Sequence, residues 1–279
     1  MPQPLFFNQI NYVKPIEVAF HRGLWSFIFL FIILLFFLKI KDFFLIFFSI
    51  KKLIFLSITG ILISINWTAF IFAVSVGRVQ DASMGYFITP MISICLGYFF
   101  LKEQITLLKF ISLLLMISSI FFLLISNNII PFLALLIAFT WGIYGVLRKQ
   151  IDVSPAIGLL YESFFLSLFA IPYLIFIYIN GSGYFLTYNS YTSVLLILTG
   201  AVTIFPLFFF NLGIKNIPLG FAGVLFYIAP TFHFITSVFI LKEDLIMSKF
   251  ISFLIIWIAI AIFIYDQVKK ENVNVNNTQ

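Results

Sequence analysis

Apolar runs of about 20 residues alternate with short polar breaks along the whole chain, at 18–38, 53–76, 83–101, 105–125, 129–147, 156–179, 194–212, 222–241 and 247–265. At 1.5 Å per helical residue, a run of this length crosses a hydrocarbon core of ~30 Å. The runs are apolar on every face. Strands of a membrane barrel would instead alternate lipid-facing and lumen-facing residues, so the pattern predicts a bundle of helices. The fold class expected is therefore an all-α polytopic membrane protein with nine spans.

The breaks between runs carry a second pattern. LKEQITLLKFIS at 101–112 returns as LKEDLIMSKFIS at 241–252, with seven identical positions that include both Lys, the Glu and the Ser. In a chain this apolar, matching charged letters carry more weight than matching Leu or Phe. The same offset aligns Val13 and Pro15 with Val153 and Pro155, Thr59-Gly60 with Thr199-Gly200, Ile88 with Ile228, and Pro90 with Pro230. Two copies of one unit are expected, at 1–126 and 127–266, followed by a polar, disordered tail at 267–279. The second copy holds five spans. An odd number makes tandem copies enter the membrane from opposite faces, which gives the inverted-topology pair characteristic of transporters. The first copy holds four spans, and the partner of 129–147 would fall mostly before Met1. Nine spans of an expected ten are thus present, and a start site placed too late is the reading preferred for the difference.

Composition agrees with a lipid environment. The 279 residues are 63% hydrophobic and 9% charged, against about 25% charged in soluble domains, and include 40 Phe. Residues 1–9 carry no Lys or Arg and the first apolar run has no small-residue cleavage site, so no removable signal is expected. The single Cys95 lies inside a span, where a small buried apolar residue is expected rather than a reactive thiol. The formal charge of +6 is explained without nucleic acid once the cations are sorted by side. With the loop around residues 39–52 cytoplasmic, eleven of the sixteen Lys and Arg fall on that side, including Arg148. Lys14, Arg22, Arg78, Lys242 and Lys249 fall on the other. This orientation puts the C-terminus in the cytoplasm.

Ionisable residues within spans are costly and are functional candidates. Arg22 lies about two turns into the first span and Glu162 lies at its repeat equivalent. If each sits ~9 Å inside its own face of a ~30 Å core, the pair differs in depth by about 12 Å, a spacing suited to a small zwitterion. On this reading Arg22 meets the anionic group of a substrate and Glu162 the cationic one. The competing reading has Arg22 extending to the interface and Glu162 pairing with a nearby Lys, Arg or backbone group. His21 follows Glu17 by one helical turn, and His21 and Glu162 are the candidates for proton coupling, with a structural hydrogen bond as the alternative for His21. His233 follows Pro230 by three residues and either satisfies a carbonyl freed there or contacts substrate. Pro90 and Pro230 are expected helix breaks, each preceded by aromatics, and Asn66, Trp67, Tyr86 and Tyr227 are expected to line a cavity beside them. Gly77, Gly85, Gly97, Gly200, Gly213 and Gly220 are expected to admit close helix packing. Lys102-Glu103 and Lys242-Glu243 are expected to cap helices or to form a gating salt bridge.

HRGLWS at 21–26, NWTAFIFAV at 66–74, ASMGYFITPMISICLGYFFLKE at 82–103, YGVLRK at 144–149, YES at 161–163 and YIAPT at 227–231 resemble the RarD branch of the drug/metabolite transporter superfamily, whose domains are called EamA. The resemblance covers essentially the whole chain. It implies a bacterial inner-membrane protein of ten helices in two five-helix repeats, with both termini cytoplasmic. It also implies transport of small metabolites or drugs, and this chain departs from it by lacking most of the first helix.

No nucleotide-cradling G-x-x-x-x-G-K-[ST] motif, no H-E-x-x-H and no paired intramembrane Asp occur, so neither an ATP-driven pump nor an enzyme is expected, and no cofactor or metal. The expected function is a secondary transporter, working as an exporter by alternating access. A channel-like pore or a non-transporting sensor or structural membrane protein is the alternative. Expected partners are a small-molecule substrate and the lipid bilayer, with a homodimer as a further possibility.

Overall fold

The computed structural model describes residues 3–37, 40–127, 132–215, 217 and 228–276, and among them every regular element is helical. The order is α1 (Gln3–Asn8), α2 (Pro15–Phe36), α3 (Ile40–Leu45) with a 3₁₀ turn (Ile46–Phe48), α4 (Ile50–Ser75), α5 (Val79–Leu101), α6 (Leu107–Asn127), α7 (Phe132–Gln150), α8 (Pro155–Ile179), α9 (Ser190–Gly213), α10 (Ile228–Ile235) running into a π-helical turn (Thr236–Ile240), and α11 (Met247–Asn276). Seven of the described helices are long and apolar enough to cross a bilayer: α2, α4, α5, α7, α8, α9 and the Met247–Asp266 part of α11. Leu107–Leu123 and Ala229–Ile240 are shorter apolar stretches. The expected run at 222–241 is described only from residue 228. Many large apolar side chains face outward, including Phe36, Phe48, Phe99 and Phe176. That surface is at home in lipid, and the chain is a multi-span membrane protein.

Helix starts follow local chemistry. Pro15 and Pro155 occupy the first turns of α2 and α8, where a missing N–H costs nothing. Ser49 and Asn189 cap α4 and α9, accepting the N–H groups of Lys52 and Thr192. Starts related by the repeat offset coincide: Pro15 with Pro155, Ile50 with Ser190, and Leu107 with Met247.

The repeated LKE turn has a shared geometry. Lys102 and Lys242 both take left-handed backbone angles, φ 56° and 59°. The next residues then turn back, Glu103 N–H donating to Gly97 C=O at 3.0 Å and Glu243 N–H to Ser237 C=O at 2.9 Å. Both motifs close a helix end in the same way.

The chain divides into two compact units, each built from both halves of the sequence. One comprises Gln3–Gly77 with Leu147–Asn216, the other Arg78–Val146 with Ile217–Gln279. In the first unit, α2 packs on α8 and α9, and α4 packs on α8. Small residues set these crossings: a Cβ on Gly60 would touch Glu162 and Phe165, and one on Gly200 would overlap Trp25 and Ser26. Trp25 and Phe165 are themselves equivalent across the repeat. In the second unit, α6 lies along α11 and α5 along α10, around a core of Phe87, Met116, Phe253, Ile256 and Phe263. Ser119 and Ser252 exchange hydroxyl-to-carbonyl hydrogen bonds across the α6–α11 seam at 3.0 and 3.4 Å.

Three expectations are corrected here. α11 continues to Asn276, so the tail from residue 267 is helical over its described part; Gln, Lys and Glu at 267 and 269–271 are good helix formers. α5 runs unbroken through Pro90, whose ring lacks the N–H that a helix interior would use. Among the described residues, a Cβ added at Gly77 or Gly213 would meet no neighbour within 4 Å, so neither sets a close crossing there; Gly77 instead takes φ 66° just past α4. Gly220 lies outside the described residues.

Candidate functional site

The first unit encloses two buried charge sites on neighbouring helices. Glu162, on the second turn of α8, is 2% exposed and accepts the Thr59 hydroxyl of α4 at 2.6 Å. It also pairs with Arg148, whose Nε lies 3.6 Å from Glu162 Oε1. Arg148 is 1% exposed, also donates to Asn211 Oδ1 at 3.2 Å, and directs Nη2 to the Pro155 carbonyl at 3.5 Å. The tight connection after α7 folds its last turn back beside the start of α8. Gly158 then leaves room for the guanidinium, with which any Cβ there would collide. Lys215 donates to the Ile151 carbonyl beside this cluster. Burial, and then the Arg148 charge, hold the Lys215 amine below its ordinary value.

Arg22 is 4% exposed on α2, buried rather than extended to an interface. Its Nε donates to Thr203 of α9 at 2.5 Å, and its guanidinium lies over the Trp67 ring at 4.4 Å and the Phe7 ring at 5.2 Å. Such contacts satisfy the cation's face without neutralising its charge. Asn66, beside Trp67, is fully buried on α4. Arg22, Glu162, Asn66 and Trp67 thus all belong to one unit.

His21 and Glu17, also in this unit, are buried but not hydrogen-bonded to each other. Glu17 Oε1 accepts Tyr184 N–H at 2.7 Å, and His21 Nδ1 accepts Trp25 Nε1–H at 3.3 Å.

In the second unit, Tyr86 of α5 sits edge-on to Trp141 at 6.2 Å and to His233 of α10 at 6.0 Å, and Trp141 also meets Tyr144 at 5.7 Å. All four are buried. Pro230, in the first turn of α10, is buried too. Tyr227 lies outside the described residues. At one end of this unit Glu243 caps α5, accepting Val79 and Gln80 N–H at 2.7 and 3.0 Å. Asp81 pairs there with Arg78 and Lys249, each at 2.6 Å. Burial, opposed by the two backbone donors, holds the Glu243 carboxyl above its ordinary value.

From the sequence, Arg148 falls among the cytoplasmic cations and, in the competing reading, Glu162 has a nearby Lys, Arg or backbone partner left unnamed; the structure pairs it with Arg148. The available signal was Gly158, the one glycine in the α8 sequence, four positions before Glu162.

The profile of the EamA-like transporter family matches the chain twice, over residues 5–125 and 128–265. The uncharacterized transporter YojE of Bacillus subtilis is 35% identical over 270 residues, covering 95% of this chain and 90% of that protein. Protein RarD of Escherichia coli is 32% identical over 265 residues, with the same coverage of each. A crystal structure of a protein at 14% identity superposes with a TM-score of 0.64 over 93% of both chains, a likeness of fold alone.

Proposed function

The chain belongs to the EamA-like transporter family, whose members are transporters and not enzymes, and from that premise we propose a secondary exporter of small polar metabolites or drugs. It works by alternating access between two inverted repeats, 1–126 and 127–266, with nine spans in this chain and its C-terminus in the cytoplasm. The tandem profile matches and the helix starts that coincide at the repeat offset support the repeat. The eleven-to-five distribution of Lys and Arg supports the orientation.

The observation that carries the substrate class is the burial of Arg22 and Glu162, opposite in charge and equivalent across the repeat, within one apolar helical unit. Charges held in such surroundings are expensive and are kept for recognition or coupling. In the resting arrangement Arg148 and Thr59 hold Glu162, while Thr203 and Trp67 hold Arg22. A zwitterion exchanges its ammonium for Arg148 at Glu162 and presents its carboxylate to Arg22. Proton coupling falls to Glu162, whose carboxylate takes a proton when it is paired with neither Arg148 nor the substrate ammonium.

Thermal stabilisation of the purified protein across amino acids, nucleosides, polyamines and chloramphenicol tests the class. Stabilisation by a zwitterion that disappears in Arg22→Ala is the expected result. Stabilisation by apolar compounds alone, unchanged in Arg22→Ala, would overturn it. Saturable exchange in proteoliposomes separates a carrier from a pore, which would give ohmic currents.

A further inference from the structure

The connection between α2 and α4 differs in chemistry from its counterpart in the second copy. Residues 39–52 read KIKDFFLIFFSIKK, four Lys and one Asp around a run of Phe, Leu and Ile. The equivalent stretch, 179–192, reads INGSGYFLTYNSYT, without a charge and with Tyr184 and Tyr188 in place of Phe44 and Phe48. Ser49 and Asn189 cap α4 and α9 at equivalent positions, so the two connections are in register. The second-copy loop ties itself to protein, Tyr191 donating to Gln9 at 2.7 Å and Tyr184 N–H to Glu17 at 2.7 Å. The first-copy segment does not follow it.

α3 and the 3₁₀ turn divide their side chains between two surroundings. Phe43 and Ile46 are buried, and the Phe43 and Phe47 rings meet Phe164 of α8 edge-on at 5.7 and 6.0 Å. Phe47 also lies 5.9 Å from Tyr161, the residue before Glu162. These contacts hold the segment against α8. Phe44, Leu45, Phe48 and Ile50 turn the other way, and Phe48 is 87% exposed. Lys41 and Lys51 are exposed beside them, with Lys52 half-buried in the first turn of α4. Phe and Leu lose free energy in water, whereas a Lys head needs water or an anion. Both needs are met where acyl chains adjoin headgroups. The segment lies there, because α2 ends at Phe36 and α4 begins at Ile50, so it runs between the ends of two spans.

We propose that residues 40–52 form an interfacial anchor that binds anionic phospholipid: Phe44, Leu45 and Phe48 enter the acyl region while Lys41, Lys51 and Lys52 hold the headgroups. Charge selects the partner. Three cations lie within this segment and Asp42 is its one acid, so a lipid of net negative charge is favoured over a zwitterionic one. Each Lys near an anionic leaflet is worth about fivefold in association. The anchor belongs to the first unit alone and does not depend on the identity of the transported substrate. A general excess of cations on this side of the membrane would attract the same lipids without gathering them at this segment, so the test reads lipid contact locally.

The full chain, carrying Ile50→Cys labelled with bimane in a Cys95→Ala background, is reconstituted into vesicles of phosphatidylglycerol and phosphatidylcholine. In one series the phosphatidylglycerol carries nitroxide-labelled chains, which quench the fluorophore on contact, and in the other the phosphatidylcholine does. Quenching at matched mole fractions gives the relative association of the two lipids at this segment. The expected preference for phosphatidylglycerol is at least about fivefold, as one Lys beside an anionic leaflet implies. It should be lost in the combined Lys41→Gln, Lys51→Gln, Lys52→Gln variant, and at about 1 M salt, where screening acts within ~3 Å. The combined Lys149→Gln, Lys269→Gln, Lys270→Gln variant removes equal charge from the same side in the nine-span reading and should keep the preference. Quenching by neither lipid overturns the insertion and assigns the Phe face to a protein partner. Equal quenching by both overturns the choice of an anionic lipid. A preference that survives in the first triple variant, or falls equally in the second, overturns the assignment to this segment.

Discussion

Removing either partner of the buried Arg148–Glu162 pair should destabilise the protein far more than removing both. At 3.6 Å and an effective dielectric of about 20, the two charges attract by roughly 4–5 kcal/mol. Desolvating each costs several kcal/mol, so the intact pair comes out close to neutral against an apolar replacement. Arg148→Met leaves a carboxylate at 2% exposure with Thr59 as its remaining identified neutral donor. Glu162→Gln keeps an acceptor for Thr59 but leaves the guanidinium with Asn211 and the Pro155 carbonyl. Each single variant should lose about 3–5 kcal/mol, the range for breaking a buried pair. The double variant should recover most of the loss, with a coupling energy well above about 1 kcal/mol. Reversible unfolding in mixed micelles of detergent and SDS, followed by helical circular dichroism, measures all four proteins. Additive losses, with coupling under about 0.5 kcal/mol, would show that the charges do not act as a pair and refute the reasoning.

Other consequences are accessible by the same unfolding assay. Gly158→Ala drives a methyl into the Arg148 guanidinium and should cost about 1–3 kcal/mol, a loss largely relieved in the Arg148→Met background. Lys102→Gly and Lys242→Gly remove a side chain from left-handed backbone and should each stabilise by up to about 1 kcal/mol, whereas Lys→Ala should not. Glu243 sits in the loop after the π-helical turn with its folded pKa raised above the ordinary 4.5, so its contribution is fully present below that value. The wild type should therefore lose stability relative to Glu243→Gln as pH climbs from 4.5 through the raised value. A pH-independent difference would contradict the assignment.

Much of the fold was legible because hydropathy reports the solvent directly. A run such as 156–179 has no stable place except lipid or a bundle interior, and α8 spans Pro155–Ile179. The duplicated LKE was legible as a repeat, and its reason lies in the backbone: both copies put Lys in a left-handed cap and return the following N–H to the helix. Arg22 and Glu162 stood out because a charge inside an apolar run has few explanations. Their partners did not stand out. Arg148 sits at a helix end, where hydropathy cannot distinguish a solvated cation from one folded back under the next helix. Glu17 accepts from Tyr184 across 167 residues of sequence, a pairing that depends on how α2 packs on α8. Nor does a linear repeat disclose that each compact unit draws helices from both halves, since that depends on which faces bury one another.

Counterflow in proteoliposomes tests the central claim most directly. Vesicles preloaded with an unlabelled zwitterion that stabilises the protein are diluted into its labelled form, and uptake is compared for wild type, Arg22→Ala and Glu162→Gln. The account predicts saturable exchange by the wild type and loss of exchange in both variants. Wild-type exchange by either variant would contradict the recognition of substrate by this buried pair.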